Sequence, residues 1–236
     1  MQHAFLAIPA HNAQVHVATV ASVFQSAAEL RKKGIPVTFF SWAGDSLLPH
    51  ARNAIVARFL TMSECTDLVF VDADISWEPG ALARLLFHDV DYVAGIYRFK
   101  RDDEAYPVNF LPKPEIWGDP KTGLIEVADV PTGFLRLRRA GLQKFYDAYS
   151  MRSYRHPSAP DLDCRCMFDL EYSAGNYFGE DFVFSRRWRE LGGKVWVDPE
   201  LTVNHHDGGR TYAGHLGNFL RAKALGQMPA NVETVA

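Results

Sequence analysis

The stretch 68-LVFVDADISWEPG-80 runs four apolar residues directly into two carboxylates, Asp72 and Asp74. Residues two apart in a strand point to the same face of a sheet. At the carboxyl end of a strand in an open parallel sheet, that face borders the crevice in which ligands bind. The stretch therefore predicts a buried strand whose last residues present two carboxylates to one shared partner.

The natural partner of such a carboxylate pair is a cation, because two negative groups this close repel each other. Mg²⁺ and Mn²⁺ prefer oxygen ligands, and Mg²⁺ often binds through one or two carboxylates together with phosphate oxygens. The pair therefore indicates a divalent metal, Mn²⁺ or Mg²⁺, that carries a diphosphate. The alternative is structural, since an Asp at this point can cap the helix that follows.

The first half of the chain alternates strand-like and helix-like segments. Strands are predicted at 4–8, 35–42, 67–71 and 91–96, and helices at 14–33, 47–62 and 79–88. This alternation predicts an α/β fold with a mixed, mostly parallel sheet and helices on both of its faces.

The second half departs from that pattern. Residues 98–126 are rich in Pro, Gly and charge, which predicts a small excursion with short antiparallel strands. Further along, we predict a strand at 127–137, a helix at 139–149, a long loop at 150–176, a helix at 180–191, a strand at 194–197 and a terminal helix within 212–225. No internal repeat or separating linker is evident, so we expect a single domain over residues 1–236.

The composition excludes several classes of protein. The chain has 236 residues, 25 Lys and Arg against 28 Asp and Glu, and a formal net charge of −3. Without a basic excess, nucleic acid is not expected as a partner. The cysteines Cys65, Cys164 and Cys166 form no disulfide framework and fit a reducing compartment. Since no apolar run approaches the length of a membrane span, we expect a cytoplasmic protein or one that meets a membrane only peripherally.

The segment that carries the carboxylate pair is one of five that occur in a definite order along the chain. They are 51-ARNAIVARFL-60, 69-VFVDADISWEP-79, 131-PTGFLRLRR-139, 179-GEDFVFSRRWRELGGKVWVDP-199 and 206-HDG-208. In this order and spacing the chain resembles nucleotide-sugar glycosyltransferases of the GT-A fold, in particular inverting, family-2-like enzymes of bacterial or viral surface-polysaccharide assembly. The resemblance covers nearly the whole chain. It implies a nucleotide-binding half at 1–97 and an acceptor-binding, catalytic half at 98–236.

The resemblance also implies where the sugar donor binds. In the family, the Asp-x-Asp at the strand end holds the metal and the diphosphate, so here Asp72 and Asp74 are predicted metal ligands. The predicted donor-binding residues are Pro9, Ala10, His11, Arg52, Asp72, Ala73, Asp74, Tyr97, Lys100, Thr132 and Gly133.

Some of these residues have simpler explanations. His11 fits a solvated loop and Arg52 fits a helix surface. Lys100 fits the solvated charged run at 100–104, and Gly133 fits a Pro-Gly bulge in a strand.

The acidic pair Glu180 and Asp181 opens a predicted helix, where the helix dipole alone favours acidic residues. The resemblance implies a sharper role, a general base that takes the proton from the acceptor hydroxyl. Asp181 is the predicted base, and Glu180 is predicted to contact the acceptor. The family often supplies a further metal ligand from the region of His205 and His206, which a strand would send to opposite faces; His206 is the predicted ligand.

These features predict a metal-dependent glycosyltransferase that moves a sugar from a UDP- or GDP-linked donor to the hydroxyl of a glycan or other acceptor, with inversion. A retaining enzyme of the same fold and a non-catalytic nucleotide- or glycan-binding module remain alternatives. A nicotinamide dehydrogenase is not expected, because 8-IPAHN-12 lacks the Gly-x-Gly-x-x-Gly turn. A nucleotidyltransferase would need a Gly-rich loop with Arg or Lys at the same place. The sequence predicts no oligomeric state.

Overall fold

The computed structural model describes residues 2–112 and 118–225, and these form a mixed α/β fold. The helices are α1 (Val17–Lys32), α2 (Leu48–Thr61), α3 (Ala81–Phe87), α4 (Arg139–Ala148), α5 (Glu180–Glu190) and α6 (Leu216–Ala224). The strands are β1 (Ala4–Ala10), β2 (Val37–Ala43), β3 (Asp67–Val71), β4 (Ile75–Trp77), β5 (Tyr92–Ala94), β6 (Asn109–Phe110), β7 (Ile125–Asp129), β8 (Phe134–Arg138), β9 (Ser153–His156), β10 (Ala159–Arg165), β11 (Glu171–Ser173), β12 (Asn176–Phe178), β13 (Val195–Val197), β14 (Thr202–Asp207) and β15 (Arg210–His215). Pro114, part of the predicted excursion, lies outside the described residues.

The central sheet has eight strands in the order β2-β1-β3-β8-β5-β13-β7-β6. β1 runs parallel to β2 and β3, and β5 runs parallel to β13. β8 is antiparallel to both of its neighbours, β3 and β5, and β7 is antiparallel to β13 and β6. Within the described part of the chain, β7 and β8 therefore run against the common direction, and the mostly parallel sheet that the sequence predicted is confirmed.

Helices cover both faces of this sheet because its strands are apolar on both sides. In β1, Phe5 and Ala7 join a core that includes residues of α2, α4 and α5, whereas Leu6 and Ile8 join one that includes residues of α1 and α3. Alternating residues of one strand thus pack into two hydrophobic cores, one on each face of the sheet. The carboxyl ends of β1 and β3 are left at one edge of the layered structure, where loops can form a cleft.

Two arginines of the 131-PTGFLRLRR-139 segment anchor β8 to neighbouring helices. Arg136 is fully buried and donates to the carbonyls of Leu85 and Leu86 at 3.2 and 3.3 Å, at the end of α3. Arg139 donates to the carbonyls of Phe59 and Met62 at 2.8 and 2.6 Å, at the end of α2. Basic side chains satisfy the free carbonyls at a helix carboxyl terminus and oppose its negative dipole. These arginines stabilise the fold beneath the cleft.

The segment after the carboxylate pair differs from its prediction. The helix expected from Pro79 starts only at Ala81, with Gly80 as its N-cap at φ +84°. Residues Ile75–Trp77 form β4, an edge strand of a second sheet with the order β15-β14-β4. The reason is tertiary, because β14 pairs with β4 and buries Trp77, whose Nε1 donates to Ser26 Oγ at 2.8 Å.

Three predictions in the second half are corrected. The strand at 127–137 is two strands, β7 and β8, which are not neighbours in the sheet. The long loop at 150–176 instead contains the β9–β10 hairpin and most of the β11–β12 hairpin. The terminal helix starts at Leu216, because residues 210–215 pair with β14 as β15. No helix in the described ranges combines the length and apolar character needed to cross a bilayer.

Candidate functional site

A cleft of about 940 Å³ lies beyond the carboxyl end of β3, between the loop after β1 and the β14–β15 hairpin. Its walls include many of the predicted donor and metal residues: Pro9, His11, Asp72, Ala73, Asp74, Tyr97, Lys100 and His206. His16 and His205 also line it. Ala10, Arg52, Thr132 and Gly133 are instead buried beneath this surface. The structure thus brings together in one cleft residues that are up to two hundred positions apart in the chain.

Asp74 is paired with cationic and histidine side chains. Lys100 Nζ donates to Asp74 Oδ2 at 2.6 Å, and His205 Nε2 lies 3.5 Å from the same oxygen. Burial alone would raise the pKa of Asp74, but the contacts with His205 and Lys100 outweigh it and lower that pKa to about 2. The carboxylate is therefore ionised at any physiological pH and remains about one-third exposed to the cleft.

The two adjacent histidines of β14 have different surroundings. The carbonyl of Arg98 can only accept, so His205 Nδ1 carries a proton and donates to it at 3.0 Å. This hydrogen bond fixes the orientation of the His205 ring and leaves Nε2 3.5 Å from Asp74 Oδ2, as a second hydrogen bond does for a metal-ligating histidine. His206 is buried, and its Nε2 and Nδ1 lie 2.8 and 3.1 Å from Ser76 Oγ and Thr211 Oγ1. The structure therefore turns His205, rather than the predicted His206, towards Asp74.

Arg52 joins Asp72 to the start of α5. One of its terminal nitrogens donates to Asp72 Oδ1 at 3.0 Å, and the other donates to Glu180 Oε1. The Arg52 side chain is almost fully buried, so it bridges two carboxylates and does not present its guanidinium to the cleft. The surface position considered for Arg52 is therefore wrong, and Glu180 is engaged by Arg52. Tyr97 donates a longer hydrogen bond, 3.4 Å, to Asp72 Oδ2.

Gly133 packs closely against Asp72, and Thr132 is buried next to it in the chain. A Cβ on Gly133 would come within 2.4 Å of Asp72 Oδ2 and 2.7 Å of the Tyr97 ring, which no real side chain tolerates. The Gly133 carbonyl accepts from the Asp72 amide at 2.9 Å. Thr132 is fully buried, and its Oγ1 has no hydrogen-bond partner among the described residues. The backbone at Gly133 thus lies in close contact with the side chains of Asp72 and Tyr97.

Asp181 lies in the first turn of α5, next to the Arg52–Glu180 pair. Its Oδ1 accepts from the Phe182 amide at 2.9 Å. Burial raises the pKa of Asp181 most, the positive charge of Arg52 opposes it, and the result is a pKa of about 6. A carboxyl group with a pKa near the working pH is suited to take and return protons.

A second group of metal-ligand residues lies at the start of α2. Asp45, His50 and His156 offer three ligand atoms within 4.8 Å of one another. The two imidazole rings are stacked, 3.9 Å apart and 19° from parallel, and Ser158 N–H donates to His156 Nδ1 at 3.0 Å. A metal lies in the plane of each imidazole that binds it, which two stacked rings cannot both satisfy. These features favour a hydrogen-bonded cluster centred on the Asp45 carboxylate.

The fold has counterparts among solved structures, although no protein-family model matches the chain and no curated protein matches its sequence. A197 from STIV superposes with a TM-score of 0.51 at 19% identity, over 88% of this chain and 86% of that chain. GalNAc-T7 with UDP, GalNAc and Mn²⁺ superposes with a TM-score of 0.52 at 14% identity, over 87% of this chain and 44% of that chain. The chain thus spans less than half the length of GalNAc-T7. At these identities the similarity concerns the fold alone, and the fold is the GT-A fold, as the sequence predicted.

Two histidines that line the cleft, His205 and His16, were not among the site residues predicted from the sequence. His205 was considered, but strand alternation shows only that it and His206 face apart, and the pairing of β14 with β4 decides which one faces Asp74. His16 stacks on His206, with ring centroids 4.1 Å apart, and its Nδ1 caps α1 by accepting from the Ala18 amide at 3.2 Å. Its position just before an apolar helical pattern was a capping signal that could have drawn attention to it.

Proposed function

We propose that this chain is a metal-dependent glycosyltransferase that moves a sugar from a UDP- or GDP-linked donor to an acceptor hydroxyl, with inversion at the anomeric carbon. One observation carries the proposal. Arg52 donates to both Asp72 and Glu180, and so holds Asp72, directly after β3, beside the helix start that carries Asp181. A donor-binding group and a candidate base thereby belong to one site.

The residues of the cleft fit a divalent metal. Asp74 is ionised and partly exposed, and His205 Nε2 faces it at 3.5 Å with its other nitrogen bound to a carbonyl. We infer that Asp74 and His205 hold Mn²⁺ or Mg²⁺, with Asp72 assisting. When bound, the ion supplies positive charge that stabilises the departing diphosphate. Lys100 Nζ pairs with Asp74 Oδ2 in the structure, so an ion held by Asp74 would take the place of this contact.

The chain's own residues supply the remaining functions. Lys100 lies at the cleft surface and can donate to a diphosphate oxygen. Asp181, with a pKa of about 6, accepts the proton of the acceptor hydroxyl as that oxygen attacks the anomeric carbon. Arg52 keeps the helix start and the carboxylate pair in register, which holds base and donor at a constant separation. GalNAc-T7, which shares the fold, was solved with UDP and Mn²⁺, so UDP-sugars are the first donors to test.

Thermal-shift measurements with UDP and GDP, each with and without Mn²⁺, test donor binding, because a ligand of the folded state raises the Tm. We expect a shift that requires the metal and is lost in Asp74→Asn. His205→Ala should lose the metal-dependent shift as well. His206→Ala is the matched control from the same strand, and should have a lower Tm but keep the metal-dependent shift. Indifference of the wild type to both nucleotides would contradict the proposal.

Turnover measurements distinguish an inverting transferase from a retaining transferase and from a non-catalytic binding module. Donor consumption and the anomeric configuration of the product are both measured by NMR. Inversion in the wild type and loss of transfer in Asp181→Asn are the expected results. A product that retains the donor configuration would make this a retaining enzyme. Metal-dependent nucleotide binding with no donor consumption, even with water as acceptor, would point to a binding module.

A further inference from the structure

A second depression, separate from the cleft, lies beside the start of α5. It has a volume of about 470 Å³ and is formed by the β11–β12 hairpin, α5 and the segment after β5. We call it the aromatic groove, because rings make up much of its wall. Its main residues are Phe99, Tyr106, Asn109, Tyr177, Phe178 and Arg186.

The aromatic groove and the cleft share a border. Tyr97 and Lys100 line the cleft, whereas Phe99, between them in the chain, lines the groove. On its other side the groove is lined by Phe182, the residue directly after Asp181. A molecule in the groove therefore lies next to the proposed base and across one short segment from the proposed donor site.

Arg186 gives the groove a polar donor with free capacity. Its guanidinium stacks 3.6 Å from the centre of the Phe178 ring, and its nearest carboxylate contact is Nε to Asp129 Oδ2 at 3.7 Å. Its two terminal nitrogens make no hydrogen bond to any residue in 2–112 or 118–225. A planar guanidinium held against a ring donates well to paired oxygens. The groove thus has donors ready for an oxygen-rich ligand.

The hairpin presents its aromatic side chains to solvent. Its turn has Ala174 and Gly175 at φ +50° and +81°, which suits a tight two-residue hairpin. Tyr172 and Tyr177 are directly opposite each other across the hairpin, and they are 73% and 67% exposed. Of these two tyrosines, Tyr177 lines the aromatic groove and Tyr172 does not.

We propose that the aromatic groove binds a saccharide and that the acceptor is therefore a glycan, an inference that rests on the proposed function. A sugar ring has apolar C–H faces and a rim of hydroxyls. Aromatic faces carry the negative part of the ring quadrupole and pack against C–H groups, while Arg186 and Asn109 meet the hydroxyl rim. An alkyl chain would offer no oxygen to the Arg186 guanidinium, which is one-third exposed at this surface.

The test is saturation-transfer NMR on the full chain with methyl glucoside, methyl galactoside, methyl mannoside, methyl N-acetylglucosaminide and methyl glucuronide, and with octanol as the non-saccharide probe. At least one glycoside should bind. Tyr177→Ala and Arg186→Gln should each weaken its apparent Kd at least about fivefold. Tyr172→Ala and Arg189→Gln are the matched controls, from the same hairpin and the same helix, and should bind as the wild type does. Circular dichroism verifies that all four variants are folded.

The proposal is overturned if no glycoside binds, if octanol alone binds, or if Tyr177→Ala and Arg186→Gln bind as tightly as the controls. These outcomes are independent of the donor experiment. Metal-dependent UDP or GDP binding without glycoside binding would reject the groove and keep the transferase. Glycoside binding that depends on Tyr177, without any nucleotide response, would keep the groove as a carbohydrate site and reject the transferase.

Discussion

Arg52 is 2% exposed in the middle of α2 and still carries its charge. Burial alone would lower the pKa of its guanidinium, but the neighbouring charges of Asp72 and Glu180 raise it above the ordinary value. Such a group is stable only while both carboxylates are present, because an unpaired buried charge is strongly destabilising. Arg52 is a predicted donor-binding residue, and in the structure it bridges Asp72 and Glu180.

Arg52→Leu should therefore destabilise the protein by about 3 kcal/mol, near the lower end for breaking a buried ion pair, because Asp72 and Glu180 keep some contact with water. Urea unfolding measures the change. Arg58→Leu is the control from the same helix, since its partner Asp161 is exposed and the pair contributes at most about 1 kcal/mol. Equal losses in the two variants would show that the Arg52 bridge has no special role.

The ionised Asp181 side chain should lower the stability of the folded protein at neutral pH. Its pKa is 3.8 in the reference state and about 6 when folded, so the folded protein binds more protons between these values. Stability therefore falls as pH rises from about 4 to about 6, and the penalty is complete above that. Asp181→Asn should raise the Tm at pH 7 and leave it nearly unchanged below about pH 4, where both side chains are neutral.

Asp181→Asn also tests the role of Asp181 in activity. The wild-type transfer rate should rise as pH passes through about 6, because only the ionised Asp181 can accept a proton. Asp181→Asn should lose transfer at every pH, measured as donor-dependent product formation. A variant that is both less stable at pH 7 and still active would remove Asp181 from the proposed mechanism.

At the scale of elements, the Asp45 cluster connects the β2–α2 loop to the β9–β10 hairpin. Asp45 Oδ2 lies 2.8 Å from His50 Nδ1 and 3.1 Å from His156 Nε2, and Trp42 meets the His156 ring edge to face. Burial would raise the pKa of Asp45, but hydrogen bonds from His156 and the Leu47 amide lower it below the ordinary value. The hairpin is therefore held to α2 by a carboxylate that must be ionised.

Asp45→Asn should destabilise the protein by about 1–2 kcal/mol at pH 7, the usual cost of losing hydrogen bonds to a charged group. Because the folded pKa is depressed, the Asp45 contribution is complete above the unfolded value of 3.8 and is lost as pH falls through the folded value. The difference between variant and wild type should shrink in acid, as followed by urea titrations at several pH values. Asp161→Asn, exposed on β10, should differ little from wild type at any pH. A constant difference down to the lowest pH would mean that the charge of Asp45 is irrelevant.

At the scale of the whole molecule, the two halves expected from the sequence share one sheet. β8, from the second half, lies between β3 and β5 from the first, and β13 extends the sheet from β5. Without β8, β3 and β5 each lose a hydrogen-bonding partner on one edge, and they lose the packing of the buried Phe134 and Leu135. We therefore expect the two halves to differ in what they bind but not to fold independently.

A fragment of residues 1–97 should accordingly show no cooperative thermal transition by circular dichroism, whereas the full chain unfolds cooperatively. Co-expression with residues 98–236 should restore the transition, because the second fragment supplies β8 and β13. Cooperative unfolding of the first fragment alone would mean that the sheet does not need its inserted strand.

How well each element could be predicted depends on how local its signal is. β3 was predicted over its full length, because a continuous apolar run with an abrupt polar end is typical of a strand buried on both faces. The β9–β10 and β11–β12 hairpins were missed because they are short, partly exposed and polar, so no apolar period identifies them. The separation of β7 from β8 depends on partners far away in the chain, which periodicity cannot reveal.

By itself, the sequence determined the layered α/β architecture and the buried strand that ends directly before Asp72, because apolar runs, alternation and helix periods are local properties. Only the tertiary structure decided that His205 turns to Asp74, that Arg52 bridges Asp72 to Glu180, and that the groove forms beside Asp181. Each of these depends on strand register and helix packing between distant segments, where a shift of one residue would turn every side chain to the other face.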